Sequence, residues 1–378
     1  MIKVSTKEYE KLLEINYDAR QPLFVMGGFG IGKSAIPRQL FSKIAKKQGL
    51  QYIEWSDAVL SQKMECINNP EKYFVFADQR TSQMDTTSLV GIPNMTKSDL
   101  LENIPYSWVV YFTQLKANGV IFFDEINLAA PIVQSITYSA IHDRVISDRR
   151  LGPNVYVFAA GNRMKDQAHI FNMPAPLKDR FSELEVEHNT DEWVDWAIEN
   201  RVNPHLISFI QWKPSNLYNA SIAKDEKPST PRGVVRASKL MGSREITSNQ
   251  VHQLISIAAG ESFATEFQAY VKCYRTIEWK VLFANPKSAK ELTLDQQFAV
   301  SGGLVSQFTE AVEGKSKKDA ELIDNIFSVT ENLRDDFTIN VLRMLRDTNR
   351  EQFVKALKSH SKGPEWAKKY TKFLVNLD

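Results

Sequence analysis

The sequence has few cysteines: Cys66 and Cys273 are the only two among 378 residues. They lie far apart and form no Cys-x-x-Cys pair, which argues against a disulfide framework and against a zinc site. We therefore expect a protein of a reducing compartment.

Long apolar runs are also lacking. No segment approaches the roughly 18 consecutive apolar residues that a membrane-spanning helix needs. The start of the chain has no charged stretch followed by an apolar one, so no signal peptide is indicated. These absences predict a cytoplasmic protein that does not enter a membrane.

Neither sign of charge dominates, because 47 lysines and arginines nearly balance 45 aspartates and glutamates, for a net charge of +2. Overall charge therefore does not favour a nucleic-acid or membrane partner. Lysines are frequent near the C-terminus, but leucines and aromatics alternate with them at helical spacing, which favours an amphipathic helix. With 43% hydrophobic residues the chain can bury a substantial core, and its length predicts two or three domains.

Against this ordinary composition, residues 27 to 34 are distinctive, because they read GGFGIGKS and match the phosphate-binding pattern G-x-x-x-x-G-K-[ST]. Glycines let such a loop turn tightly and direct N–H groups at an oxyanion, and the following helix N-terminus adds its dipole. Lys33 would reach the outer phosphates of a nucleotide, and the Ser34 hydroxyl would bind Mg²⁺. The alternative is a glycine-rich turn that only joins a strand to a helix.

Short apolar runs separated by helical or mixed segments predict a parallel α/β domain. The five runs are Leu23 to Met26, Tyr73 to Ala77, Val120 to Phe123, Val155 to Ala159 and Leu184 to Val186. After about Thr190 the strand pattern stops and helical periodicity continues. We predict a nucleotide-binding domain over 1–189, a helical lid over 190–275 and a helical extension over 276–378.

The third run ends in two adjacent carboxylates, Asp124 and Glu125. Acidic groups at the end of a buried strand are costly unless they meet a cation or take part in chemistry. Phosphoryl transfer needs one carboxylate for magnesium and one base for the attacking water. We assign these roles to Asp124 and Glu125, with capping of the next helix as the alternative.

The fourth run ends at Asn162, whose amide can both donate and accept hydrogen bonds. Such a group suits a position beside the γ-phosphate and the attacking water. A structural Gly-Asn turn is the alternative. The predicted nucleotide contacts are Gly27, Gly28, Phe29, Gly30, Ile31, Gly32, Lys33, Ser34 and Asp124.

Together these motifs resemble those of the AAA+ ATPases, and specifically the MoxR-like group of the dynein-related branch. The resemblance covers roughly residues 20 to 275 and rests on six segments: GGFGIGKS, ADQRTSQMDTTSLVGIP, VIFFDEINLAAPIVQ, VFAAGN, PAPLKDRF and STPRG. It implies a parallel five-stranded P-loop sheet and binding of ATP and Mg²⁺. It also implies a homo-oligomeric ring, which we expect to be a hexamer.

The resemblance also implies roles for two arginines. Arg180 matches the arginine finger that enters the ATP site of the next subunit, and Arg232 matches the sensor 2 arginine that links the lid to the nucleotide. Ile92, Asn94 and Met95 lie where related rings contact substrate, with a packed surface loop as an equal alternative. His142, Asp143 and Arg144 are interpreted as structural or as part of a subunit contact.

Three functions remain open at this point. The preferred one is a Mg²⁺-dependent ATPase that remodels a protein partner, with a von Willebrand factor A domain protein implied by the family as that partner. The second is a nucleic-acid-stimulated motor, which the near-neutral charge and the lack of a recognisable DNA-binding module disfavour. The third is a non-hydrolysing switch that assembles on ATP, against which Lys33, Asp124 and Glu125 argue.

Overall fold

The computed structural model describes residues 1–94, 103–163, 179–219, 226–242, 248–313, 317–360 and 363–369. The chain divides into two compact units, Met1–His188 and Asn189–Asp378. Each unit has its own cluster of buried hydrophobic residues.

The first unit contains both strands and helices. Its strands are β1 (Ile2–Val4), β2 (Leu23–Gly27), β3 (Gln51–Glu54), β4 (Tyr73–Arg80), β5 (Ile92–Pro93), β6 (Asn103–Ile104), β7 (Asn118–Asp124), β8 (Val145–Ile146), β9 (Arg149–Arg150), β10 (Asn154–Gly161) and β11 (Ser182–Val186). Its described helices are α1 (Thr6–Asp18), α2 (Ala35–Lys47), α3 (Leu60–Asn68), α4 (Thr86–Val90), α5 (Ser107–Phe112) and α6 (Pro131–His142).

Seven of these strands form one sheet in the order β1-β11-β2-β10-β7-β4-β3, and every neighbouring pair is parallel. The remaining strands form two short antiparallel ribbons, β5 with β6 and β8 with β9. The predicted parallel α/β fold is confirmed. The carboxyl ends of β2, β10, β7 and β4 meet at one edge of the sheet, so the residues that follow these strands lie close together.

All five predicted strands are present in the middle of the sheet, but the expected number was wrong, because β1 and β3 add one strand at each edge. Both edge strands are largely polar or solvent-facing. Ile2 is exposed in β1, and no residue of β3 is fully buried. An edge strand buries too little surface to need an apolar run, so its sequence pattern is weak.

The central strands are buried on both faces and are rich in phenylalanine. The rings of Phe122 and Phe158 stack with their centroids 4.5 Å apart. Apolar side chains on both faces are typical of a parallel sheet covered by helices. The close packing fixes the position of the acidic residues that end β7.

The second unit is helical. Its described helices are α7 (Thr190–Glu199), α8 (Pro204–Trp212), α9 (Pro231–Met241), α10 (Ser248–Ala259), α11 (Glu261–Arg275), α12 (Trp279–Ala284), α13 (Leu294–Glu313), α14 (Lys317–Thr330), α15 (Asp335–Thr348), α16 (Arg350–Ser359) and α17 (Gly363–Lys369). The predicted change from mixed to helical structure is therefore confirmed. Among the described helices, none combines the length and the apolar character that crossing a bilayer requires.

Helix α13 packs against both α8 and α15 in this unit. A Cβ atom on Gly302 of α13 would lie 2.9 Å from Ser208 Oγ of α8, so glycine permits the close approach of the two helices. The lid predicted over 190–275 and the extension predicted over 276–378 share this core. Their separation into two domains stays a prediction.

Candidate nucleotide-binding site

The glycine-rich loop joins β2 to α2 at the carboxyl edge of the sheet. Gly30 and Gly32 have φ angles of 73° and 109°, in the left-handed region that favours glycine. A Cβ atom on Gly27 would lie 2.9 Å from the carbonyl oxygen of Val186. The glycines are therefore required by the backbone path of this loop.

Lys33 is 8% exposed and lies inside the loop. Its ammonium donates hydrogen bonds to the carbonyl oxygens of Gly27 at 2.7 Å and Gly28 at 2.8 Å, and to Asn162 Oδ1 at 3.1 Å. The backbone carbonyl of Lys33 accepts a hydrogen bond from the Tyr9 hydroxyl at 3.1 Å. These contacts link the first half of the loop to the end of β10.

Ser34 and Asp124 meet at the same edge. The Ser34 hydroxyl donates to Asp124 Oδ2 at 2.7 Å, and Asp124 Oδ1 accepts from the backbone N–H of Glu125 at 2.9 Å. A hydroxyl and a carboxylate fit Mg²⁺, which takes oxygen ligands and usually keeps water and phosphate in its remaining positions. The two side chains are therefore suited to hold one magnesium ion beside bound phosphates.

Glu125 has a φ of 57°, unusual for a residue other than glycine. Its carboxylate accepts a short hydrogen bond from the hydroxyl of Ser82. Thr81, which directly follows β4, donates to the backbone carbonyl of Asp124 at 2.8 Å. Sequence reasoning did not assign Ser82 and Thr81 to the site, although both lie in the segment ADQRTSQMDTTSLVGIP that carries the resemblance.

Asn162 is positioned by Asn127. The Asn127 amide donates to the carbonyl oxygen of Asn162 at 2.7 Å, and its Oδ1 accepts from the Asn162 backbone N–H at 3.0 Å. Asn127 is 5% exposed, so this paired contact is shielded from water. A Cβ atom on Gly161 would lie 2.7 Å from Asn127 Oδ1, which explains the glycine before Asn162.

A further carboxyl, Asp78 on β4, was not predicted. Burial raises the pKa of Asp78 to about 6, and the negative charge of Asp124 acts in the same direction. Arg38 on α2 opposes this shift through an ion pair with Asp78 at 2.5 Å, and it also contacts Glu54 at 3.2 Å. Asp78 thus lies close to Asp124, and Arg38 compensates its charge.

Arg180 does not join this group. It lies just before β11, whose first residue, Ser182, pairs with Leu23, the first residue of β2. Arg180 is therefore at the amino edge of the sheet, with its guanidinium 5.3 Å from the centre of the Tyr138 ring and 3.6 Å from Asp179. Residues 174 to 178 of the PAPLKDRF segment lie outside the described residues.

Arg232 belongs to the second unit, in the first turn of α9. The N-cap residue of this helix is Thr230, whose hydroxyl accepts a hydrogen bond from Gly233 N at 3.1 Å. The sensor role of Arg232 stays a prediction. Ile92 is 56% exposed on β5, whereas Met95 lies outside the described residues.

Neither a protein-family model nor a curated protein matches the sequence. One similar solved structure is a mutant of RuvB from Thermotoga maritima, with 15% identity, a TM-score of 0.32, and coverage of 72% of this chain and 76% of that one. Another is NtrX from Brucella abortus in complex with ATP, with 10% identity, a TM-score of 0.34, and coverage of 99% and 70%. Similarities at these TM-scores carry no weight for fold or function, which rest on the sheet and the site themselves.

Proposed function

We propose that this protein is a Mg²⁺-dependent ATPase of the AAA+ superfamily, of the MoxR-like type. The observation that carries the proposal is the meeting of a phosphate loop, an acidic pair and an amide at the carboxyl edge of one sheet. Lys33 contacts Asn162 at 3.1 Å, and Ser34 contacts Asp124 at 2.7 Å. Ligands of parallel α/β sheets bind at this edge.

In this proposal the backbone N–H groups of the loop and the Lys33 ammonium bind the phosphates of ATP. The Lys33 ammonium donates to Gly27, Gly28 and Asn162. A bound phosphate oxygen would therefore replace at least one of these three acceptors. Ser34 and Asp124 would hold magnesium, which when bound neutralises charge on the phosphate oxygens.

Glu125 is the proposed base that takes a proton from the attacking water. Ser82 donates to Oε2 of its carboxylate, so proton transfer to that oxygen competes with this hydrogen bond. Asn162 would orient the water through its side-chain amide. Asn127 keeps that amide in place by fixing the backbone of Asn162 on both sides.

We further propose that the subunits form a ring, hexameric as in the family that the sequence resembles, and that ATP hydrolysis remodels a protein partner. Arg180 would contact the ATP of the neighbouring subunit, and Arg232 would respond to the nucleotide. A protein with a von Willebrand factor A domain is the proposed partner. These finer assignments rest on the sequence resemblance.

Phosphate release from purified protein with Mg²⁺ and ATP tests the site. We expect Glu125→Gln to keep ATP binding and to lower turnover at least about 100-fold, because the base is removed. We expect Lys33→Ala to lose both binding and turnover. Lys43→Ala is the matched control, since Lys43 lies on α2 and pairs with Glu10 at 2.9 Å, away from the site. Normal turnover by either site variant would contradict the assignment.

A further inference from the structure

A cleft of about 480 Å³ lies at the amino edge of the sheet. Arg20 and Pro22, which precede β2, line it together with Arg180, which precedes β11. Arg144, which follows α6, contributes from a third element. Three arginines from separate parts of the sequence thus face one cavity.

The charge of this cleft is unbalanced. Among the described residues, Asp179 is the one carboxylate in its lining, and its side chain is 83% exposed. In the described part of the chain, no carboxylate forms an ion pair with Arg20 or Arg144. Burial lowers the pKa of Arg144, and the positive charges of Arg20 and Arg150 lower it further. An anion in the cleft would relieve this repulsion.

Two of the guanidinium groups are held in place. The Arg20 guanidinium lies 4.7 Å from the centre of the Tyr17 ring. One nitrogen of Arg144 donates to the carbonyl oxygens of Gly152 at 2.7 Å and Val155 at 2.9 Å, which leaves its other N–H donors for a ligand. Fixed arginine donors match the oxygen geometry of a phosphate.

The backbone conformation at Arg20 and Arg144 is also unusual. Arg20 and Arg144 each have a φ of 56° and follow the last turn of a helix. Glycine is the residue that normally fills this position, because it adopts positive φ without steric cost. Arginine therefore stands at two positions where backbone conformation alone would favour glycine.

The cleft is too far from the phosphate loop of its own chain to act there. Strand β2 separates them, and its five residues from Leu23 to Gly27 span about 16 Å at a rise of about 3.3 Å per residue. An extended arginine side chain does not cover that distance. A nucleotide in the phosphate loop of the same chain therefore cannot meet these arginines, whereas one held by a second molecule can.

We propose that this cleft receives the triphosphate held in the phosphate loop of a second copy of the chain, with Arg20 and Arg144 contacting it beside Arg180. The inference rests on the ATPase proposed above. It extends the shared site from the one arginine that the sequence resemblance implies to a group of three. The negative charge of a nucleoside triphosphate complements the positive charge of the cleft.

The left-handed backbone at Arg20 provides a clean test. Arg20→Gly removes the guanidinium and suits the φ angle, so we expect an unchanged or higher melting temperature together with a kcat at least about tenfold lower. Arg201→Gly is the matched control, because Arg201 has a φ of 54° but lies in the second unit, outside the cleft. It should keep wild-type turnover. Wild-type turnover by Arg20→Gly would overturn the inference.

Mixing two inactive variants tests whether the cleft acts on a second copy. Arg20→Gly subunits keep an intact loop, and Glu125→Gln subunits keep an intact cleft. In a random equal mixture about a quarter of the head-to-tail interfaces combine both, so turnover should recover to about a quarter of wild type. No recovery would mean that the cleft binds some other anion, such as an acidic peptide, and would overturn the inference. Absence of turnover in the wild type itself would instead contradict the ATPase.

Discussion

At the scale of single residues, the conformation of Glu125 has the most direct consequence for chemistry. Its φ of 57° turns the chain sharply after β7, and its backbone N–H donates to Asp124. The carboxylate is thereby directed to Ser82. This hydrogen bond fixes the orientation of the carboxylate and occupies one of its acceptor positions.

We predict that Ser82→Ala raises the basal kcat for ATP several-fold. Removing the Ser82 hydroxyl frees Glu125 Oε2 to accept the proton of the attacking water, and loss of a competing hydrogen bond worth about 1 kcal/mol corresponds to a factor of about five. Steady-state phosphate release at saturating MgATP measures the effect. Ser82→Thr keeps the hydroxyl and should stay near the wild-type rate. A lower rate for Ser82→Ala would mean that Ser82 orients Glu125 for catalysis instead.

At the scale of elements, strand β7 depends on a glycine. Gly119 has a φ of 151°, and a Cβ atom there would lie 2.0 Å from the carbonyl oxygen of Val75 on β4. Because the clash is with backbone, no side-chain rotation relieves it. The contact between β7 and β4 also sets the relative positions of Asp124 and Thr81.

We therefore predict that Gly119→Ala lowers the free energy of unfolding by about 3 kcal/mol or more, since overpacked sites cost about 1 to 3 kcal/mol even when side chains can move. Thermal unfolding followed by circular dichroism measures the loss. The control is Gly49→Ala, at a φ of 70° with no atom within 4 Å of the added Cβ. It should cost only about 1 kcal/mol, the usual penalty of a left-handed alanine. Equal stability of the two variants would contradict the packing explanation.

At the scale of the whole molecule, two separate cores predict two unfolding transitions. The buried residues of the first unit and those of the second form separate clusters. Proteins with several units commonly depart from two-state unfolding. A change that acts in one core should therefore shift one transition and leave the other in place.

Protonation of His205 is a change of this kind, because it should alter the stability of the second unit as the pH falls. His205 lies in the second unit with its side chain partly buried, its Nδ1 has no hydrogen-bond partner among the described residues, and burial lowers its pKa to about 4. The unfolded chain, with a histidine pKa of about 6.5, binds the proton first as the pH falls. Stability of the second unit is therefore fully present above about pH 6.5 and declines by up to about 3 kcal/mol as the pH falls to about 4.

Urea unfolding between pH 4 and pH 7 measures this decline. We expect His205→Phe to reduce it, because the variant keeps a ring against Tyr274, whose centroid lies 4.8 Å from that of His205, and cannot take up a proton. His252→Phe, at a partly exposed histidine of the same unit, should retain the His205 contribution. An unchanged pH profile for His205→Phe would contradict the assignment.

Patterns carried by neighbouring residues were readable in the sequence. The loop at residues 27 to 34, the acidic end of β7 and the five central strands are local features, because glycine content and apolar runs act over a few residues. The edge strands β1 and β3 were missed since they bury little surface. The boundary between mixed and helical structure near residue 190 followed from the change in periodicity.

Contacts between residues that are distant in the sequence could not be predicted from the sequence. Ser82 and Glu125 are 43 positions apart, and Asn127 and Asn162 are 35 apart, so nothing local connects them. The strand order brings these pairs together, and it also gathers Arg20, Arg144 and Arg180 at the opposite edge. The chemical groups of the site are thus encoded locally, whereas their partners and the second, cationic cleft depend on which strands lie side by side.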